Sequence, residues 1–84
     1  MATATLEEDP GRMTGREYKD ALRKLGLTHG GKATIAFLGI DMSTTHRYAN
    51  NITRVPKPTA MLLRAMIRYG LSPEVIEGIN QGTL

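Results

Sequence analysis

The stretch KATIAFLGIDMSTTHRYAN, Lys32 to Asn50, limits what this chain can fold into more than any other segment. Gly39 divides it. Before Gly39, Ile35 and Leu38 repeat at helical spacing and Phe37 adds aromatic core. After it, Asp41 stands where its carboxylate can accept from the N–H groups of Ser43 or Thr44 and so start a second helix. Glycine suits a turn that needs positive φ. Ile35, Leu38, Ile40 and Tyr48 fall on inward-facing positions, whereas Ser43, Thr44, His46, Arg47 and Asn50 turn outward. The second helix is expected to run from Met42 to about Asn50. It should fray at Asn50-Asn51, since asparagine tolerates the left-handed conformation.

The flanking segments read as further helices. Thr14-Gly15-Arg16-Glu17 has capping-box spacing, in which Thr14 accepts from the Glu17 N–H and Glu17 reaches back. Tyr18, Ala21, Leu22 and Leu25 then repeat at i, i+3, i+4 and i+7, and Gly26 ends helix one. Leu27 to Gly31 is a connection, with Thr28 or His29 available to cap helix two. Ile52 to Lys57 is a loop in which Ile52 and Val55 should tuck inward, and Pro58 fits the first position of helix four. Helix four carries an Arg64/Arg68 polar stripe and is otherwise almost wholly apolar up to Gly70. A helix like that must be buried on more than one side. One such side is expected to be a partner subunit, through Met61, Leu62, Ala65, Met66 and Tyr69. Ser72-Pro73-Glu74 is a helix start, and Val75, Ile76 and Ile79 give a short fifth helix.

The expectation is therefore an all-α, compact five-helix domain over residues 13–79. Residues 1–12 are expected to be a disordered tail and 80–84 a flexible end. Met13 directly follows that tail and offers a second starting point. The chain has no cysteine, so neither a disulfide nor a thiolate metal site can support so small a core. No apolar run approaches a membrane span, and the acidic N-terminus does not read as a signal peptide. The expected setting is the cytoplasm, at the nucleoid.

Charge is distributed unevenly. All eleven Lys and Arg residues lie between Arg12 and Arg68, against Glu17, Asp20 and Asp41 there, a local +8 within a whole-chain +3. A basic middle is the electrostatic footprint of a nucleic-acid binder. A short polar helix without a carboxylate between Met42 and Asn50 suits the major groove of DNA. Enzyme readings have less behind them. Gly26 to Lys32 matches G-x-x-x-x-G-K, but Ala33 follows where a phosphate-binding loop needs a hydroxyl, and a helix precedes it instead of a strand. His29 and His46 lie on separate elements, two ligands where zinc wants three or four. Ser43 and His46 share a helix face without a third group to orient the histidine. No cofactor, metal or catalytic residue is expected.

Residues 14–79 resemble the lambda-repressor-like (Cro/repressor, XRE-type) helix-turn-helix family of bacterial and phage regulators. FLGIDMSTTHRYANN is similar to the family's F-L-G-V-(S/D)-x-x-T-V-x-R-W-x-N-G, and VPKPTAMLLR to the segment opening its next helix. Three departures stand out. Ile35 replaces a usual Ala, Thr45 replaces a packing Val or Ile, and Gly30-Gly31 lengthens the connection before helix two. The resemblance implies a dimeric DNA-binding transcription regulator, a repressor type, whose helix three reads the major groove. By position, Met42, Ser43, His46 and Arg47 face base edges and Asn50 lies one turn further on. Arg47 is the favoured base reader, because a guanidinium pairing with guanine discriminates by ~1–3 kcal/mol. Lys32, Arg54 and Lys57 are expected at phosphates, and Thr44 at the cap more than the DNA. The alternative is a small protein-interaction module, such as an antiactivator, adaptor or antitoxin-like partner, keeping the fold without specific DNA binding. In that case helix three or four would meet another protein.

Overall fold

The computed structural model describes residues 11–82, and these form five helices with no strand among the described residues. They are α1 (Gly15–Lys24), α2 (Lys32–Leu38), α3 (Met42–Ala49), α4 (Lys57–Tyr69) and α5 (Pro73–Gln81). The tail expected over 1–12 lies outside the described residues except for Gly11 and Arg12. Of the expected flexible end, Asn80 and Gln81 belong to α5, while 83–84 lie outside. None of the described helices is long and apolar enough to cross a membrane.

Local signals account for most helix ends. Thr14 Oγ1 accepts from the Glu17 N–H at 3.1 Å, Asp41 Oδ1 from Thr44 at 2.7 Å and Ser72 Oγ from Val75 at 3.2 Å. Each satisfies an orphan donor of a first turn. Helix four departs slightly from expectation. Pro56 takes the cap position, so the helix starts at Lys57 and Pro58 is its second residue. Neither Thr28 nor His29 caps α2. Gly31 occupies that position without a side-chain bond. Thr28 contributes its carbonyl instead, accepting from the Gly31 N–H and from the buried Thr34 hydroxyl.

Helix α1 is the centre of the packing, set against α3 and α4. Its buried face of Tyr18, Ala21 and Leu22 joins Met13, Tyr48, Ala49, Val55, Ala60 and Leu63 in one apolar core. Leu25, Leu27, Leu38, Ile40 and Ile67 pack partly buried around it. Phe37 and Ile35 are half-buried and stand outside that cluster. The Tyr18 and Tyr48 rings meet edge to face with centroids 5.5 Å apart, a preferred aromatic geometry. Val55 tucks in as expected, but Ile52 is 72% exposed. The preceding Asn51 is left-handed (φ 61°), and the Ile52 N–H turns back to the Arg47 carbonyl. That reversal points the Ile52 side chain away from the core.

Two contacts tie α1 to distant parts of the chain. The Glu17 carboxylate does not complete the capping box. It accepts two bonds from Arg64, from Nε at 2.8 Å and Nη2 at 3.0 Å. Arg64 Nη1 also donates to the Gly11 carbonyl. So Arg64 is a strut between α1 and α4 and not part of an outer stripe. Both partners are more than a third exposed. Arg64→Ala should therefore cost only about 0.5–1 kcal/mol in a urea melt, because solvent screens such pairs. A loss well above that would mean a buried packing role.

The second contact is at Gly15. Its N–H donates to Asn51 Oδ1 at 2.8 Å, bringing the start of α1 against the end of α3. A β-carbon at Gly15 would overlap the Ala49 carbonyl oxygen and sit 2.8 Å from that of Tyr48.

Candidate functional site

Helix α3 is built as two faces. Thr45, Tyr48 and Ala49 are buried, while Met42, Ser43, His46, Arg47 and Asn50 are exposed. The three-residue turn from Gly39 to Asp41 sets this helix beside α2. Gly39 is left-handed (φ 68°), where a side chain is strained. Its N–H and that of Ile40 both return to the Ile35 carbonyl, closing α2 as the chain reverses.

The cap at Asp41 is electrostatically fixed. Hydrogen bonds from the Thr44 side chain and N–H hold its carboxyl below the ordinary aspartate pKa, with Arg47 adding attraction. The cap is thus ionised at neutral pH. Thr44 serves this cap from the third helical position, as its place in the sequence suggested.

Thr45 departs most from expectation. It is fully buried, where an apolar β-branched residue would pack without partners. Its hydroxyl instead donates to the His29 carbonyl at 2.7 Å. With its single proton so used, it accepts from the Tyr18 hydroxyl at 2.6 Å. The chain Tyr18–Thr45–His29 pins the α1–α2 connection onto α3 from inside the core. Among the described residues no buried side-chain polar atom lacks a partner. Burial raises the Tyr18 pKa above its usual value.

This tether brings the two histidines together. The rings of His29 and His46 meet edge to face, with centroids 5.2 Å apart. Burial, then the neighbouring His46 and Lys19, depress the His29 pKa below the usual histidine value. Sequence spacing gave no sign of this pair, because its link runs through a buried hydroxyl on another helix. No group of three His, Cys, Asp or Glu residues suited to a metal ion occurs among the described residues.

The remaining predicted positions divide. Asn50 is exposed, and its amide donates to the His46 carbonyl at 2.9 Å, one turn back in its own helix. Lys32 and Lys57 are exposed at the first residues of α2 and α4. Arg54 is half-buried and engaged in an interaction of its own. On α4, Met61 and Tyr69 are 57% and 72% exposed, and Leu62 and Ala65 are half-buried. Met66 is fully buried, so it is a core residue and cannot contribute to an outer interface. Between α1 and α4 lies an open groove of about 810 Å³, with Met13, Ala21, Ala65, Ile67 and Tyr69 among its walls.

In comparisons with known proteins, no family model, no curated protein and no solved structure matches this chain.

Proposed function

We propose that this protein is a sequence-specific DNA-binding transcriptional regulator of the lambda-repressor-like helix-turn-helix kind, working as a homodimer, with no catalytic activity. The observation that carries the reading is the division of α3: Met42, Ser43, His46 and Arg47 stand exposed on a helix anchored by its opposite face. Eight residues make a rod about 12 Å long, which suits a major groove of about 12 Å width. Arg47 is the base reader. Lys32 and Lys57, at the starts of flanking helices, supply phosphate contacts. The exposed Met61 and Tyr69 of α4 are the apolar anchors available to a second copy.

The test is enrichment of random duplex DNA at near-physiological salt, followed by binding of the selected site by fluorescence anisotropy. Arg47→Ala should weaken the selected site by roughly 5–150-fold, the equivalent of one bidentate base contact. It should change binding to random duplex far less. Equal loss on both would remove Arg47 from base reading. A dimer should select a two-fold symmetric site with half-sites about 34–36 Å apart.

The groove between α1 and α4 favours a second reading, a protein-interaction module. Its lining combines apolar side chains with the bases Arg16, Lys24 and Arg68 and the acids Glu17 and Asp20. Salt dependence separates the two, since phosphate contacts weaken steeply as salt rises and apolar contacts do not.

A further inference from the structure

We propose that Glu7, Glu8 and Asp9 fold back from Gly11 onto a basic hollow beside the start of α4 and compete there with nucleic-acid phosphates. The hollow, of about 300 Å³, is lined by Arg12, Arg54, Lys57 and Arg64 around Val55 and Met61. No Asp or Glu stands among its described lining residues. Residues 1–10 lie outside the described residues and carry these three acids with no Lys or Arg.

The point of attachment favours this occupant over any other. Gly11 itself lies on the wall of the hollow, and its carbonyl accepts from Arg64 Nη1. The chain ahead of Gly11 thus sets out from the hollow. Asp9 is two residues away and Glu7 four, spans of at most ~7 Å and ~14 Å in a fully extended chain. So short a tether holds the acids beside the hollow at an effective concentration on the order of millimolar or more.

The charges match. Four bases line the hollow, and the Glu17 carboxylate paired with Arg64 offsets one, leaving 4 − 1 = 3 positive charges against three acids. Arg54 and Arg64 already hold interactions. A guanidinium can serve more than one acceptor at a time, so these contacts do not close the hollow to a carboxylate. Lys57 is exposed at the first residue of α4. The helix start adds to the attraction, because its cap residue, Pro56, offers no side-chain acceptor to the first turn. Carboxylate and phosphate oxygens are alike as acceptors for such cations, so the acids would hold Lys57 away from a DNA backbone. That consequence rests on the DNA-binding reading above, whereas the docking does not.

The test uses the full chain, whose lack of cysteine lets a nitroxide be placed at one site through Thr5→Cys. In isotope-labelled protein, the amide signals of Arg54, Val55 and Lys57 should be broadened and largely lost. They should return when Glu7→Gln, Glu8→Gln and Asp9→Asn are combined, and also at high salt, which screens exposed charges. Broadening that is absent, or that survives neutralisation of the acids, would overturn the docking. So would broadening caused only by a nitroxide on a second, unlabelled copy, since the segment would then cross between chains. The neutralised variant should also bind random duplex at least about 3-fold more tightly, as three weak exposed pairs together imply. Glu74→Gln with Glu77→Gln removes two acids from α5 instead and should change binding far less. An equal gain per charge would mean general repulsion and overturn the competition. Docking without any DNA binding would sink the regulator reading and leave the contact within the chain standing. DNA binding without docking would do the reverse.

Discussion

Replacing Gly15 with alanine should cost about 3 kcal/mol or more, since the added methyl group has no space to enter. The atoms it would meet are the Ala49 and Tyr48 carbonyl groups at the end of α3. These are backbone atoms and cannot rotate aside as a flexible side chain could. Relief requires α1 and α3 to separate, which stretches the Gly15 N–H to Asn51 Oδ1 bond. It also parts the positive start of one helix dipole from the negative end of another, a favourable pairing. A domain of this size has roughly 4–11 kcal/mol of total stability. The melting temperature should therefore fall by about 12–24 °C, at ~4–8 °C per kcal/mol. Thermal melts followed by circular dichroism would check it. A shift of only a degree or two would mean the two helices can move apart at little cost.

Thr45→Val should have the next largest effect, about 2–4 kcal/mol, although it conserves shape. Valine leaves the Tyr18 hydroxyl and the His29 carbonyl without their partner, and each stranded polar group costs about 1–3 kcal/mol. Tyr18→Phe should be milder, about 1 kcal/mol, because Thr45 still donates to His29. The double variant should lose clearly less than the sum, which is the signature of a shared network. Additive losses would mean that the two hydroxyls act independently. The raised Tyr18 pKa gives a separate signature. A folded-state pKa above the unfolded value of about 10 means full stability below that pH and progressive loss above it. Tyr18→Phe should flatten this alkaline limb.

Much of the fold is legible in the sequence because its signals are local. Thr14, Asp41 and Ser72 each lie three residues before the N–H they accept from. Gly39 marks a left-handed turn that sequence alone suggests. What escapes is long-range. Gly15 reads as the second residue of a capping box, yet its constraint comes from residues more than thirty positions away. Glu17 reads as the return half of that box, but the Arg64 guanidinium competes for it with two charge-assisted bonds. Thr45 reads as a weak point in the core, because nothing in its neighbourhood announces Tyr18 and His29 as partners. The outer face of α3 is readable from the helical period. The His29–His46 contact is not, since it depends on how the chain returns on itself.

The two faces of α3 share no residue, and this separates two kinds of evolutionary constraint. Thr45, Tyr48 and Ala49 carry the cost of folding. Ser43 and Arg47 are exposed, so changes of side chain there should leave the buried face of the helix in place. A family of variants with one architecture and many surface chemistries lies within single substitutions of this chain. His46 is the exception: its ring rests on His29, so a change there alters the neighbouring loop as well as the outer face.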